Sequence, residues 1–228
     1  MIEPLKTDDV DTFTEIYWDA FNPLDANMIL PMIYPLGFQP DLRERLRNRV
    51  LKSMRDDSNS NCFCARDTAT GDMLGVSWWA NVQTPSQNRD ELDECYQEAK
   101  EKRSGGIAVE GMDHRLEDAF FKAAFYSEAE SMGSAPYMTL KLLAVRPDYA
   151  RKGIGTRLLE HGLASVDRLG LPAFIHAGVQ AKPLYERYGF QNVGDMPCNA
   201  LEYGARSDGR HWCLVRPPCG HLERDSAE

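Results

Sequence analysis

Residues 141–155, KLLAVRPDYARKGIG, decide the fold. They open on LLAV, an apolar run that is too short for most helices and predicts a buried strand. Pro147 ends this run, because proline has no backbone N–H and restricts the residue before it. Arg151, Lys152 and two glycines then lead into a segment whose apolar residues have helical spacing. The stretch therefore predicts a strand, a basic glycine-containing turn and an amphipathic helix.

The turn has the chemistry of a phosphate-binding site. The first turn of a helix leaves backbone N–H groups without partners, and the helix dipole adds partial positive charge there. Gly153 and Gly155 let an anion approach the backbone, and Arg151 and Lys152 add full charges. Neither the Walker pattern GxxxxGK[ST] nor the dinucleotide pattern GxGxxG is complete. The turn predicts a phosphate-bearing cofactor; the alternative is an ordinary glycine turn with solvated basic side chains.

The composition limits the classes of function. The chain has 228 residues, enough for a sizeable core, and its net charge of -9 argues against general nucleic-acid binding. No apolar run reaches the ~18 residues of a membrane span. The N-terminus has acids where a signal peptide would be basic, so we expect a cytoplasmic protein. Its six cysteines show no CxxC pair and no accompanying histidine cluster, so neither a metal site nor a disulfide framework is expected.

The N-terminal part predicts two helices and a hairpin. One helix follows Thr7-Asp8-Asp9, and a second begins near Asp41 with its arginines on the outer side. The segment 22–41 between them predicts an irregular loop that either walls a pocket or only packs. Residues 62–66 and 73–80 predict a hairpin. Trp78 and Trp79 point to opposite faces of its second strand, one into the core and the other towards a pocket or partner.

Residues 81–136 predict a helical insertion. Helices at about 88–103 and 114–132 flank Ser104-Gly105-Gly106, and ten acids against four bases occupy 90–118. This acidic run either attracts a cationic acceptor or forms a solvated helix face, and we favour the second interpretation. Further along, strands are predicted at 173–177, 191–193 and 211–215, with a short helix from 182 and a flexible tail at 221–228.

Two segments together resemble the acetyl-CoA-binding core of the GNAT superfamily of N-acetyltransferases. LLAVRPDYARKGIG resembles the family's strand followed by [QR]-x-x-G-x-[GA], and LYERYGF resembles its closing LYE-x-x-GF motif. The resemblance is close over residues 137–193. It departs from the family at Ala150, which replaces the Gln or Arg before the first glycine. It implies an α/β (α+β) fold with a mixed, mostly antiparallel sheet flanked by helices, whose central parallel strands splay apart, in a single domain over residues 1–220.

The resemblance also implies site residues. Its cofactor-binding positions are Leu143, Ala144 and Val145 for the acetyl and pantetheine arm, Lys152, Gly153, Ile154, Gly155 and Thr156 for the pyrophosphate, and Arg151 for an added charge. Tyr185 is implied as the acid that protonates the leaving thiolate; the alternative is that it only packs. The cofactor strand lacks the family's glutamate, so the general base stays unassigned. His176 is one candidate for it, although a structural strand histidine is commoner, and Glu110 and Asp113 are others.

The implied activity is direct transfer of an acetyl group from acetyl-CoA to a primary amine in a ternary complex. The acceptor is a small-molecule amine or a protein amine, and the negative net charge favours a cationic small molecule. The rival is a non-catalytic acyl-CoA-binding or regulatory module. The missing strand acid favours the rival, whereas Tyr185 favours an enzyme. A structural protein without a cofactor would require the paired motifs to be a coincidence.

Overall fold

A computed structural model describes residues 1–22, 29–56, 58–83, 86–205 and 209–219. Its strands are β1 (Ile2–Pro4), β2 (Ser60–Arg66), β3 (Met73–Val82), β4 (Tyr137–Val145), β5 (Ala173–Gly178), β6 (Gln191–Asp195) and β7 (His211–Arg216). Its helices are α1 (Val10–Phe21), α2 (Ile29–Ile33), α3 (Pro40–Asp56), α4 (Arg89–Ser104), α5 (His114–Met132), α6 (Ile154–Leu169) and α7 (Lys182–Arg187). The tail predicted at 221–228 and part of the loop predicted at 22–41 lie outside the described residues.

The strands form one mixed sheet in the order β1-β2-β3-β4-β5-β7-β6. Every neighbouring pair is antiparallel except β4 and β5, which are parallel. The parallel pairing covers only Met138 with Ala173 and Thr139 with Phe174. Beyond these two pairs the strands no longer pair, which confirms the predicted splayed parallel pair in a mostly antiparallel sheet.

Alternating residues of β4 and β5 separate the two faces of the sheet. Leu159, Leu163 and Val166 of α6 pack with Leu140 and Ile175 on one face. The opposite face is covered by α1 over the N-terminal half and by α5 over the C-terminal half, where Ala123 packs with Tyr137 and Phe174. The opening between β4 and β5 therefore lies between α6 on one side and α1 and α5 on the other.

The two tryptophans point to opposite faces of β3, as predicted. Trp79 is buried in the core under α6, where a Cβ added at Gly162 would lie 2.1 Å from its Nε1. Only glycine at that position lets the helix approach the sheet so closely. Trp78 points to the other face, is partly exposed and donates its Nε1–H to Ser60 Oγ.

The insertion forms both predicted helices, but the prediction of a solvated acidic face holds only in part. Most acids of α4 are exposed, and Gly105 ends that helix with a φ of 57°. In α5, by contrast, Glu117 is buried. This acid was one of the ten counted as a solvated face, and it lies inward because α5 packs against α4 and α3 as well as against the sheet.

The prediction that α3 keeps its arginines on the outer side is wrong for Arg45, which is 4% exposed. Its Nη2 donates to Glu117 Oε1, and its Nη1 lies 3.4 Å from the Met112 sulfur. The helical spacing of the apolar residues in α3 predicts only the side of the helix that packs towards the sheet. The inserted helices bury a second side of α3, so a side that would otherwise face water carries a paired charge.

Arg45→Met is expected to lower the free energy of unfolding by about 3–5 kcal/mol, because it leaves the buried Glu117 carboxylate without its hydrogen-bonded partner. Chemical denaturation measures the change. The control is Arg55→Met on the same helix, where the ion pair with Asp56 is exposed. Its denaturation midpoint should stay close to the wild type, and equal losses in the two variants would contradict the assignment.

Candidate active site

The backbone of β4 beyond Thr139 has a free edge facing β5. The Arg146 N–H donates to Leu74 O at 2.9 Å, and a Cβ built at Gly75 would lie 2.9 Å from Ala144 O, so both residues direct polar groups towards β3. Backbone direction alternates along a strand. The N–H and C=O groups of Leu143 and Val145 therefore point away from β3, into the opening where β5 has separated.

The start of α6 lies next to this opening. Gly153 is the N-cap, with a φ of 79°, and Arg157 N donates to its carbonyl at 3.1 Å. The amides of Ile154, Gly155 and Thr156 precede the first such bond, so the helix itself supplies them with no acceptor. A Cβ at Gly155 would lie 3.6 Å from Val145 Cγ2, which places the turn against the end of β4.

The basic residues of the turn are exposed. Arg151 has a positive φ of 59°, and its side chain and that of Lys152 both reach solvent. The Lys152 ammonium lies 4.6 Å from the centroid of the Tyr149 ring. Exposed positive charge beside unpaired helix amides is suited to a diphosphate.

Tyr185 lies on α7 at the inner end of the opening. It is 4% exposed and shares a core with Leu140 and Ile175, one residue from each of the splayed strands. Its ring meets that of Phe190 at 5.8 Å, in an edge arrangement. Burial raises the pKa of the phenol well above its usual range, so the hydroxyl is neutral and keeps its proton.

A buried carboxylate reaches the other side of the opening from the insertion. Glu128 of α5 accepts the Tyr137 hydroxyl at 3.1 Å and the Lys141 ammonium at 3.0 and 3.1 Å. Burial alone would raise the pKa of Glu128, but the Lys141 ammonium and the other donors outweigh it and hold the pKa below the usual range. Lys141 has no partner on β3, because the register shifts between Trp78 and Trp79, and its ammonium is partly exposed.

His176 belongs to the same cluster. It lies on β5 two residues beyond the last paired residue, Phe174, and its Nε2 lies 3.0 Å from Ser127 Oγ. Burial lowers the pKa of His176 to about 4, so the ring is neutral near pH 7. The structure thus brings His176 to the opening, on the α5 side and opposite α6.

Sequence reasoning missed Glu128. The signal was its place on α5, next to Ser127 and one turn after Ala124, on a stripe of small and apolar residues that packs on the sheet. A carboxylate on such a stripe needs a partner. Glu110 and Asp113 lie elsewhere: Asp113 caps α5 through Arg115 N and Leu116 N, and Glu110 N donates to Asp41.

Two properties of the described part of the chain bear on function class. Within it, no three or more His, Cys, Asp or Glu residues are grouped so as to hold a metal ion. In the same residues, no helix combines the length and the apolar character needed to cross a membrane.

Comparison with known proteins agrees with this geometry. The model of the acetyltransferase (GNAT) domain family matches residues 91–200, which include β4, α6 and α7. Escherichia coli (strain K12) has a protein described as uncharacterized N-acetyltransferase YafP that is 39% identical over 54 residues. That match covers 24% of this chain and only 33% of the curated relative.

Solved structures match over nearly the whole chain. Arylalkylamine N-acetyltransferase 2 from Aedes aegypti has a TM-score of 0.64 at 14% identity, covering 95% of this chain and 98% of that one. A Corynebacterium glutamicum protein described as histone acetyltransferase HPA2 and related acetyltransferase has a TM-score of 0.56 at 18% identity, covering 96% of each chain. The acetyltransferase (GNAT) domain model thus matches just under half of the chain, and the solved structures show that the chain shares the fold of these acetyltransferases.

Proposed function

We propose that a single domain formed by residues 1–220 is an acetyl-CoA-dependent N-acetyltransferase that acts on a primary amine. The observation that carries the proposal is that two features lie side by side. One is the edge of β4 that no longer pairs with β5, and the other is the N-terminus of α6, whose first amides have no acceptor within the helix. Leu143 and Val145 direct backbone groups into the opening, and the turn before α6 offers amides and two exposed basic side chains beside it.

The cofactor contacts follow from this geometry. The diphosphate binds the amides of Gly153 to Thr156, with Arg151 and Lys152 contributing charge. The pantetheine arm runs along the free edge of β4 and bonds the backbone of Leu143 and Val145. Ala144 lies between these two residues on β4, and its carbonyl is directed towards β3. The cofactor supplies the activated acetyl group, which is placed near the inner end of the opening.

The amine approaches from the face opposite α6, where Glu128, Lys141 and His176 lie. Glu128 is ionised and takes a proton from the acceptor's ammonium group, giving the free amine. The nearby Lys141 charge favours the neutral form of that amine. The amine nitrogen then attacks the thioester carbon, forming the C–N bond and breaking the C–S bond. Tyr185 donates its proton to the leaving thiolate and regains one from the amide nitrogen, and the Glu128 proton passes to solvent.

The direct test combines two measurements on the wild-type protein. Isothermal titration with acetyl-CoA should show binding, and a thiol-release assay with a panel of arylalkylamines, diamines and lysine peptides should show turnover. Binding without turnover on any amine would favour the rival, a regulatory acyl-CoA-binding module. No binding at all would leave the turn as ordinary architecture. The panel also decides between a small-molecule and a protein acceptor.

Tyr185→Phe is expected to lower kcat about 10²-fold with little change in the KM for the amine, since it removes the proton donor and keeps the ring. Steady-state thiol release measures both constants, and thermal unfolding checks the fold. Tyr188→Phe is the matched control, because that tyrosine ends the same helix and its hydroxyl bonds Glu160 instead. If Tyr185→Phe keeps wild-type kcat, the ring only packs.

A further inference from the structure

Arginines from two helices surround one carboxylate beneath the insertion. Arg45 and Arg49 lie one turn apart on α3, and Arg103 lies in the last turn of α4. Arg45 donates to Glu117 of α5, and Arg103 Nε lies 3.6 Å from the same carboxylate oxygen. Arg45, Arg103 and Glu117 are 4%, 8% and 5% exposed. We call Arg45, Arg49 and Arg103 the arginine cluster.

The charges of this cluster do not balance. Glu117 is the one carboxylate that contacts it among the described residues, so two positive charges lack compensation. Arg49 has neither an ion pair nor a hydrogen bond within the described part of the chain; its guanidinium lies 5.2 Å from the Trp78 ring. Burial lowers the pKa of Arg49, and the neighbouring charges of Arg103 and Arg45 lower it further.

Arg103 carries unused hydrogen-bond donors. Its Nε and Nη2 are buried and bond to no atom of the structure, while its guanidinium stacks 4.1 Å from the Phe121 ring centroid. A buried donor without a partner costs about 1–3 kcal/mol, and more when charged. An oxyanion ligand would supply the missing acceptor, since the planar guanidinium matches the oxygens of a carboxylate or phosphate.

One side of the cluster reaches the surface. Tyr17, Arg49 and Trp78 are partly exposed, whereas Arg45 and Arg103 are buried. Tyr17 and Tyr34 add hydroxyls nearby, and burial raises the pKa of both, so neither supplies a negative charge. This partly exposed side is on the α1 face of the sheet, opposite α6 and its basic turn.

We propose that the arginine cluster binds the oxyanion group, a carboxylate or a phosphate, of a small ligand that enters past Tyr17 and Trp78. Arg49 is the outer contact and Arg103 the inner one, while Arg45 keeps Glu117 neutralised. The site is separate from the cofactor turn and does not require the protein to transfer acetyl groups. A ligand with an anionic group is the opposite of the cationic molecule that the net charge of the chain favours.

The experiment is thermal unfolding of the full chain in increasing inorganic phosphate or succinate, each compared with sodium chloride of equal ionic strength. The unfolding temperature of the wild type should rise saturably with at least one of the two anions. In Arg49→Met the apparent Kd should weaken about tenfold or more, the loss expected for a charge-assisted contact. Arg151→Met, which weakens the proposed phosphate site of the cofactor turn instead, should keep the wild-type response to succinate. A response to phosphate alone or succinate alone identifies the ligand's anionic group.

Folding of the variant is itself informative. Arg49→Met removes an unpaired charge, so in chloride it should unfold at the wild-type temperature or above. If it does not fold, Arg49→Lys keeps the charge and loses the planar fork, and it should bind either anion more weakly. The proposal is overturned if neither anion stabilises the wild type beyond chloride. It is equally overturned if the response survives in the Arg49 variants or is lost only in Arg151→Met.

Discussion

Gly153→Glu is expected to abolish measurable binding of acetyl-CoA. Gly153 has a φ of 79°, a conformation that side chains rarely adopt, and it stands where α6 presents its first amides. A Cβ there would meet no protein atom within 4 Å, so there is room for the added carboxylate side chain beside the proposed phosphate site. Its charge repels the diphosphate and competes for the same N–H groups, a loss of about 100-fold or more in affinity. Isothermal titration measures it.

Gly170→Glu is a closely matched control. Gly170 ends the same helix, with a φ of 64°, and a Cβ there would also meet no atom within 4 Å. The Gly170→Glu substitution therefore imposes the same backbone strain and adds the same charge, but about a helix length away from the proposed site. Normal acetyl-CoA binding in Gly170→Glu beside none in Gly153→Glu would establish the turn as the cofactor site. Equal behaviour of the two variants would show that strain alone is responsible.

Glu128→Gln is expected to lower kcat/KM for the acceptor amine by about 10²–10³-fold near pH 7, and by far less near pH 10. The amide keeps the size of the carboxylate but cannot take a proton. At high pH the acceptor already carries a free amine and needs no base. The groups facing Glu128, which are Tyr137, Lys141, His176 and Cys213, stay in place. Thiol-release kinetics across this pH range measure the profile, and the affinity for acetyl-CoA should be unchanged.

Glu130→Gln is the control for this variant, since Glu130 lies two residues further along α5 and faces solvent. Its pH profile should follow the wild type. A Glu128→Gln protein that loses the same factor at every pH would show that the carboxylate only holds Lys141 in position. Full activity near pH 7 would remove Glu128 from the mechanism altogether.

Local patterns predicted the elements around the opening well. The segment 141–155 sets its own structure, because a short apolar run, a proline and two glycines leave few alternatives. The hairpin and both inserted helices were also predictable from the period of their apolar residues and from their turn residues. Which charged residues of the insertion are buried was not predictable. Glu117 and Arg45 look like ordinary surface charges in sequence, and only the packing of α5 against α3 buries them together.

The candidate site likewise has one part that local sequence patterns predict and one part that depends on tertiary packing. The proposed cofactor side depends on backbone amides and glycines, which a sequence motif describes directly. The proposed acceptor side depends on the contact of Glu128 with Lys141, two residues from different elements that meet only when α5 lies over the split strands. Helical spacing places Glu128 on the buried stripe of α5, but it does not say which strand residue it reaches. That contact is a property of the tertiary structure.

The short parallel pairing of β4 and β5 has a mechanical consequence. Strands β1 to β4 form one antiparallel unit and β5 to β7 another, and two residue pairs join them. Few backbone hydrogen bonds therefore join the two units, and side chains of α6 add packing against Leu140 of one unit and Ile175 of the other. Under the proposed function, a cofactor bound along the free edge of β4 adds contacts between the two units. We therefore expect the sheet to become more rigid when the opening is occupied.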